Sequence, residues 1–480
     1  MTSASSELLA KLDVQVLRPE DQSSTNAGES KPTGRRGSNE LVTEDNAARL
    51  FAEEYGGKLR YCHSRGSWFR WDGVVWRMDQ TRLAFDWARC LARELATNEP
   101  DRVRFIVGKT SFASGVEKFA QADRAFARTA ADWDGDPLLL GTPSGTVDLR
   151  TGRLRPGKPD DGITKLTGCG PSPAPACPRW MRFLEEATGG DPDFIRFLQQ
   201  WCGYCLTGDT REHALVFLHG MGGNGKSVFL NVLLGILFDY AIMAAMDTFT
   251  ASRSEKHPTD LAMLNGARVV TASETEEGRA WAEARIKQMT GGDTITARFM
   301  RQDFFSFRPT FKLTIVGNHK PALRNVDDAA RRRFNIVPFT RKPAKPDPEL
   351  EAKLKEEWPG ILRWMIEGCL DWQMNGLIRP AIIADATQSY FLDQDVLGQW
   401  LEEKCEVDRD NGALWDRTSD LFESWAQFAR AAGEEAGTVK SFNDALQRKG
   451  FVPHRKTAGR GFRGVRCRSE ITSPPAWNDG

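Results

Sequence analysis

LVFLHGMGGNGKSVFL, residues 215–230, decides how this chain is read. A short apolar run, Leu215 to Leu218, enters a loop holding Gly220, Gly222, Gly223, Asn224, Gly225, Lys226 and Ser227. A helical apolar pattern follows. Strand, glycine loop closing on Gly-Lys-Ser and helix is the context that a phosphate-binding loop requires. The glycines let successive N–H groups turn toward a β-phosphate, and the helix N-terminus adds partial positive charge. Lys226 then reaches the β- and γ-phosphates and the Ser227 hydroxyl holds Mg²⁺, so ATP and Mg²⁺ are the expected ligands. Moving outward, Ala267 to Ser273 reads as a buried strand ending in Glu274-Thr-Glu-Glu277. A carboxylate there faces the γ-phosphate, to hold the metal or orient the attacking water; Glu274 is the first choice and Glu276 the second. A third strand, Phe311 to Gly317, ends at Asn318, whose amide suits a bridge between that water and the γ-phosphate. The three strand tips are expected to converge on the carboxyl edge of a parallel sheet.

The rest of the chain frames this block. Its 480 residues predict two to four domains. Lys plus Arg and Asp plus Glu each number 65, which excludes a polycation but not a locally basic face. Nine cysteines over such a length argue against a secreted disulfide framework and for a reducing cytoplasm. The N-terminus has no apolar signal region, and the apolar stretch Val228 to Met246 is broken by Asn231 and Asp239, so no membrane span is expected. Residues 1–45 read as a disordered leader. Residues 46–179 read as an α+β domain: a first helix, the hairpin or meander RYCHSRGSWFRWDGVVWRMD, further helices, then short strands with turn signals. Prolines 171, 173, 175 and 178 mark a linker. Residues 180–345 form the α/β block, 346–405 a helical extension and 471–480 a tail. Between them, 406–470 carries helices followed by the basic hairpin FVPHRKTAGRGFRGVRC.

These residues resemble the superfamily 3 helicases within the AAA+ ATPases, and more narrowly the helicase portion of phage and plasmid primase–helicases. The resemblance rests on GTPSGTVDLRTGRLRP (141–156), GYCLTGDT (203–210) and HPTDLAMLNGARVVTASETEEGR (257–279). It continues through IKQMTGGDTITARFMRQDFFSF (286–307), KLTIVGNHKP (312–321), DDAARRRFNIVPF (327–339) and EEWPGILRWMIEGCLDWQ (356–373). It spans roughly residues 50–405, with a fainter echo to 468. It implies an α/β AAA+ P-loop core and a homo-hexameric ring that hydrolyses ATP between subunits and draws single-stranded or forked DNA through its channel. By position it makes Lys226 and Ser227 the Walker A pair, Glu274 the Walker B acid and Asn318 the sensor. Arg332 and Arg333 become the arginine pair, one of which reaches the neighbouring subunit's ATP. Lys287 and the turn Gly291-Gly292-Asp293 fall in the stretch that builds a DNA-facing hairpin. Many relatives carry a primase or polymerase domain ahead of the helicase; fewer than 50 residues precede the entry region here, so the resemblance does not carry priming over, and whether a separate primase is its partner is left open.

Other features are weighed against ordinary packing. Trp201-Cys-Gly-Tyr-Cys205 spells a redox motif but lies late in a helical run, where packing is the expectation. Cys169 and Cys177 have no ligand-spaced partners, so no zinc site is expected. His219 reads as steric filler; for His319, after the sensor Asn, a contact to nucleotide or DNA is the lesser alternative to an ordinary surface role. Phe299, Phe304 and Phe305 follow or flank Arg298; core packing is the default for them and base stacking the alternative. Between Lys440 and Arg468 nine basic residues face one acid, Asp444. A helix followed by a glycine-punctuated basic hairpin predicts a winged-helix-like fold, with Arg455, Lys456, Arg460 and Arg463 toward nucleic acid. The rival readings are a P-loop small-molecule phosphotransferase and an ATP-switched DNA-binding scaffold that displaces no strand.

Overall fold

Five parallel strands form the central sheet: β1 (Leu215–His219), β2 (Ala241–Met243), β3 (Val269–Glu274), β4 (Lys312–Gly317) and β5 (Phe334–Pro338). Their spatial order is β5-β1-β4-β3-β2. In this computed structural model, residues 41–251, 259–274, 280–301, 303–323, 327–432 and 435–468 are described. The strands are apolar on both faces, as a parallel sheet sandwiched by helices requires. Val216, Leu218, Val316 and Val337 join one core with the helices Pro178–Thr188, Pro192–Cys205, Lys226–Leu237 and Trp358–Asn375. Leu215, Phe217, Leu313, Ile315 and Ile336 join the other with Trp281, the helix Glu283–Gly291 and the helix Ala381–Gln394. Asp191 caps the helix Pro192–Cys205 by accepting from the Asp193 and Phe194 amides. The Trp201 indole of that helix donates to Thr314 Oγ1 at 3.0 Å, which fixes the helix against β4.

Ahead of the sheet, Thr43 caps the helix Glu44–Tyr55, which packs with Leu83–Leu95 and Thr110–Ala122 around Phe51, Trp68, Leu91, Val116 and Phe126. A meander of Leu59–Cys62, Ser67–Trp71 and Trp76–Met78 lies beside them, with Ala127–Arg128 added in parallel. A second meander, Leu139–Thr142, Gly145–Asp148 and Arg153–Arg155, places Leu140 and Val147 in the core of the central sheet. Packing therefore continues across the proline-rich segment. Pro178 itself opens a helix, at the position where a missing N–H is harmless.

After β5 come the helices Leu350–Glu356, Trp358–Asn375, Ala381–Gln394 and Val396–Lys404. The C-terminal unit then runs strand Trp415–Arg417, helices Thr418–Ala431 and Val439–Arg448, and hairpin Val452–Lys456/Gly459–Arg463. The strand Trp415–Arg417 pairs with the outgoing arm of the hairpin, and Cys405–Val407 pairs with Val465–Cys467. Trp400, Leu421, Trp425, Phe442, Leu446 and Phe462 form its core. Among the described residues no helix is long and apolar enough to cross a membrane.

Candidate functional site

Strand register decides what shares an edge. His219 of β1 lies opposite Gly317 of β4 and Pro338 of β5, and Gly317 lies opposite Glu274 of β3. The glycine loop, Glu274 and Asn318 therefore leave the sheet at one level, along its carboxyl edge. Glu274 closes β3 by its main chain, and Glu276 lies outside the described residues. Asn318 is exposed at its strand tip. The His219 ring is hydrogen-bonded to the Asn318 main chain, and burial together with the nearby Lys320 holds its pKa below the ordinary value. His219 thus links two strand tips as a neutral ring, a role that its neighbourhood in sequence did not reveal.

The loop is closed at its ends and open in the middle. A Cβ at Gly220 would lie 1.9 Å from the Phe339 carbonyl oxygen; one at Gly225, where φ is +84°, would lie 2.7 Å from the Phe183 ring. Gly222 and Gly223 have nothing within 4 Å and are exposed, as is Ser227 at the start of the helix Lys226–Leu237. Lys226 is only 5% exposed. Its ammonium donates to the Gly220 carbonyl at 2.5 Å, to Met221 O at 3.1 Å and to Asn224 Oδ1 at 3.0 Å. Those partners are all neutral, and burial lowers the Lys226 pKa. A sheltered cation ringed by neutral oxygens beside an open cradle of main-chain groups fits an anion. Asn224 does something else: its Nδ2 donates to Phe339 O, while the Phe339 amide donates to His219 O at 2.7 Å. It braces the loop against the end of β5. The loop and the exposed Ser227 hydroxyl fit a nucleotide phosphate chain with Mg²⁺, which when bound would screen the charge on the terminal phosphates.

Arg332 and Arg333 end the helix Asp328–Arg333 immediately before Phe334, which pairs with Leu215 at the opposite, amino edge of the sheet. Four strand residues separate that level from the loop, about 13 Å at ~3.3 Å per residue. The three arginines differ in their surroundings. Arg331 lies over the Phe391 ring at 5.0 Å, and Arg333 donates to Thr290 Oγ1 at 3.2 Å and Ala329 O at 2.9 Å. Arg332 is exposed; its guanidinium Nε donates to Asp328 O at 3.3 Å within its own helix, and its main-chain carbonyl accepts from Arg379 at 3.3 Å.

The hairpin between β3 and β4 pairs Ile295–Ala297 with Phe305–Phe307. Its tip corrects the core expectation for two aromatics: Phe304 is 60% exposed, Phe299 is 39% exposed, and Met300 beside them is 69% exposed. Arg298 lies over the Phe304 ring at 4.7 Å, and Phe299 stacks on Phe305 at 5.7 Å. A short turn offers these rings little to pack against, so they stand out, Phe304 under the Arg298 guanidinium and Phe299 against Phe305. Lys287 belongs to a different element. It lies on the helix Glu283–Gly291 and forms an ion pair with Asp327, so it is not part of the hairpin. In the C-terminal unit Arg455, Lys456, Arg460 and Arg463 are exposed, Arg455 stands directly opposite Arg460, and Lys456 lies 5.0 Å from the Trp415 ring.

Cys202 and Cys205 are buried in a helix, and burial raises both thiols, Cys205 to about 12. Burial raises Cys169 to about 12 and Cys177 to about 11. Among the described residues no group of three or more His, Cys, Asp or Glu is placed to hold a metal ion.

Residues 48–189 match the family described as D5 N terminal like, and residues 218–333 match a family of unknown function, DUF5906. A protein of Acanthamoeba polyphaga mimivirus, provisionally named helicase L207/L206, is 26% identical over 356 residues, covering 68% of this chain and 36% of that one. One from Frog virus 3, provisionally named helicase 022R, is 24% identical over 267 residues, covering 51% and 27%. One from African swine fever virus, provisionally named primase C962R, is 23% identical over 337 residues, covering 63% and 34%. The chain is thus similar to viral proteins provisionally named helicase or primase, with a D5 N-terminal-like segment ahead of its parallel sheet. It spans about a quarter to a third of the length of these curated relatives. The C-terminal region of NrS-1 is similar in structure, with 10% identity and a TM-score of 0.47, covering 88% of this chain and 99% of that one.

Proposed function

We propose that this protein is a Mg-ATP-dependent DNA helicase of the superfamily 3, AAA+ type, acting as a homo-hexameric ring in the replication of phage or plasmid DNA. The observation that carries this reading is the strand register. It aligns the glycine loop, Glu274 and Asn318 on one edge and sets Arg332 about 13 Å away on the other. A phosphotransferase acting alone has no use for an exposed arginine beyond reach of its own phosphate site. A ring does, because each amino edge meets the next subunit's nucleotide. The strand order β5-β1-β4-β3-β2 supports the AAA+ assignment.

In this mechanism the loop amides and Lys226 hold the β- and γ-phosphates, and Ser227 with Glu274 holds Mg²⁺. Glu274 orients the attacking water with Asn318, and the neighbour's Arg332 offsets charge on the transferring phosphoryl group. Arg298, Phe299 and Phe304 line the channel and grip single-stranded DNA by charge and stacking. The C-terminal unit is a winged helix whose basic wing contacts the phosphate backbone. The test is strand displacement on forked DNA with Mg-ATP, alongside the mass of the nucleotide-bound assembly. A monomer whose ATP turnover ignores single-stranded DNA would favour the phosphotransferase. DNA-stimulated turnover without displacement would favour the switched scaffold.

A further inference from the structure

The helix Glu283–Gly291 stands between the two parts of the protein that the proposed cycle must connect. Two residues past its C-terminal Gly292 cap, the chain enters the hairpin strand Ile295–Ala297. Its own side chains hold the arginine helix Asp328–Arg333 at both ends. At one end the Lys287 ammonium pairs with Asp327, the residue that caps the arginine helix by accepting from the Ala330 amide at 2.7 Å. At the other, Thr290 Oγ1 accepts from Arg333 Nε at 3.2 Å while donating to Ile286 O at 2.7 Å. Thr290 is 3% exposed, so this contact is sheltered from water. At the helix's N-terminal side, Trp281 packs edge-on against Phe334, the first residue after the arginines, with ring centroids 5.4 Å apart. Burial pushes the Asp327 carboxyl up, but the hydrogen bonds from Lys287 and the Ala330 amide outweigh it and keep its pKa below the ordinary value.

We infer that Lys287 and Thr290 are positioning residues that tie the arginine helix to the DNA-facing hairpin, so that DNA gripped by the hairpin sets the Arg332 guanidinium against the neighbour's nucleotide. This rests on the reading of Arg332 as acting on the adjacent subunit. It gives Lys287 a task different from contacting DNA. The ion pair is half-exposed, and such pairs stabilise a fold little. Its importance is placement, since an error of ~1 Å in a positioned group can cost ~10²-fold in rate. The hairpin is joined to the helix through Gly292, Asp293 and Thr294, and the arginine helix is held at both ends by that helix. Binding at the tip therefore has a short covalent and polar route to Arg332.

The experiment measures ATP turnover with and without saturating oligo-dT, and the affinities for ATP and oligo-dT, in the full chain. Lys287→Met should lose most of the DNA stimulation, with kcat at saturating DNA roughly tenfold lower, while both affinities stay within about twofold. Lys287→Arg should retain stimulation by restoring the ion pair. Asp327→Asn, which keeps an N-cap acceptor, and Thr290→Val, which keeps the shape, should repeat the Lys287→Met result from the partner side. If Lys287→Met weakens oligo-dT binding and stimulation is intact at saturation, Lys287 is a DNA contact and the inference is overturned. It is also overturned if Arg332→Ala abolishes turnover while the Lys287, Asp327 and Thr290 variants keep normal stimulation. Full turnover in Arg332→Ala would instead remove the trans-acting arginine on which the inference stands.

Discussion

At the residue scale, two buried lysines separate chemistry from architecture. Lys226 points at an open cradle with only neutral oxygens around its ammonium. Lys226→Ala should therefore fold yet lose ATP turnover by two orders of magnitude or more, corresponding to ~3 kcal/mol of lost stabilisation of transferring charge; steady-state phosphate release measures it. Lys312 opens β4 at 2% exposure, with its ammonium bonded to the Thr207 carbonyl and 3.3 Å from the Asp209 and Thr310 carbonyls. Burial lowers its pKa to about 7 from 10.5. Because the unfolded chain keeps this proton up to 10.5 and the folded chain releases it near 7, the unfolded state binds more protons in between. Stability should rise with pH across that window, by at most ~1.4 kcal/mol per pH unit. Denaturant melts at pH 7 and 9.5 should show the gain in the parent protein and a smaller one in Lys312→Met. Sequence made Lys226 legible through its motif. Nothing in the order of residues marked Lys312 or the His219 link to Asn318, because both depend on which strands become neighbours.

At the scale of elements, the strands and helices with strong periodicity were readable, and their tips were not. The meander 59–78, the helix Leu83–Leu95 and the closing basic hairpin follow from alternation and turn residues. The three-residue β2 and the seven-residue helix Asp101–Val107 escaped, since each is too short for its period to repeat distinctly. The hairpin aromatics show the same limit. Phe299, Phe304 and Phe305 are alike by composition, and only the turn geometry leaves Phe304 outside. Arg298→Ala and Phe304→Ala should each weaken oligo-dT binding, by ~1–3 kcal/mol for a lost stacking contact, as read by fluorescence anisotropy. The wing gives a different signature. Arg455 and Arg460 face each other as like charges, which costs stability. Arg460→Gln should raise the melting temperature of the C-terminal unit while lowering DNA affinity. The double change with Arg455→Gln should flatten the salt dependence of binding by roughly 1.4–1.8 in log–log slope. An unaltered slope would detach the wing from DNA.

For the whole molecule, the proposed mechanism makes the amino and carboxyl edges of one sheet the two halves of a site shared between neighbouring subunits. The loop, Glu274 and Asn318 share one edge; Arg332 lies at the other, exposed, with its guanidinium donating to Asp328 O of its own helix. Arg333 is engaged with Thr290 while the Arg332 guanidinium is exposed, so of a pair that sequence left equivalent Arg332 is the one the proposed ring mechanism uses. An Arg332→Ala protein should bind ATP and turn it over ~10³-fold or more slowly, as a missing trans-acting finger predicts. Lys226→Ala should be inactive for the opposite reason, since its loop fails while its arginine is intact. Mixed in equal amounts, the two should assemble with interfaces at which an Arg332→Ala subunit supplies the loop and a Lys226→Ala subunit supplies the arginine. Those interfaces regain turnover; every other pairing stays inactive. In randomly mixed rings about a quarter of interfaces have the productive order, so activity should rise from near zero to a maximum near equal proportions and fall again on either side. Co-assembly without recovery at any ratio would mean that Arg332 does not serve the adjacent site, and the ring mechanism built on the two edges would fall with it.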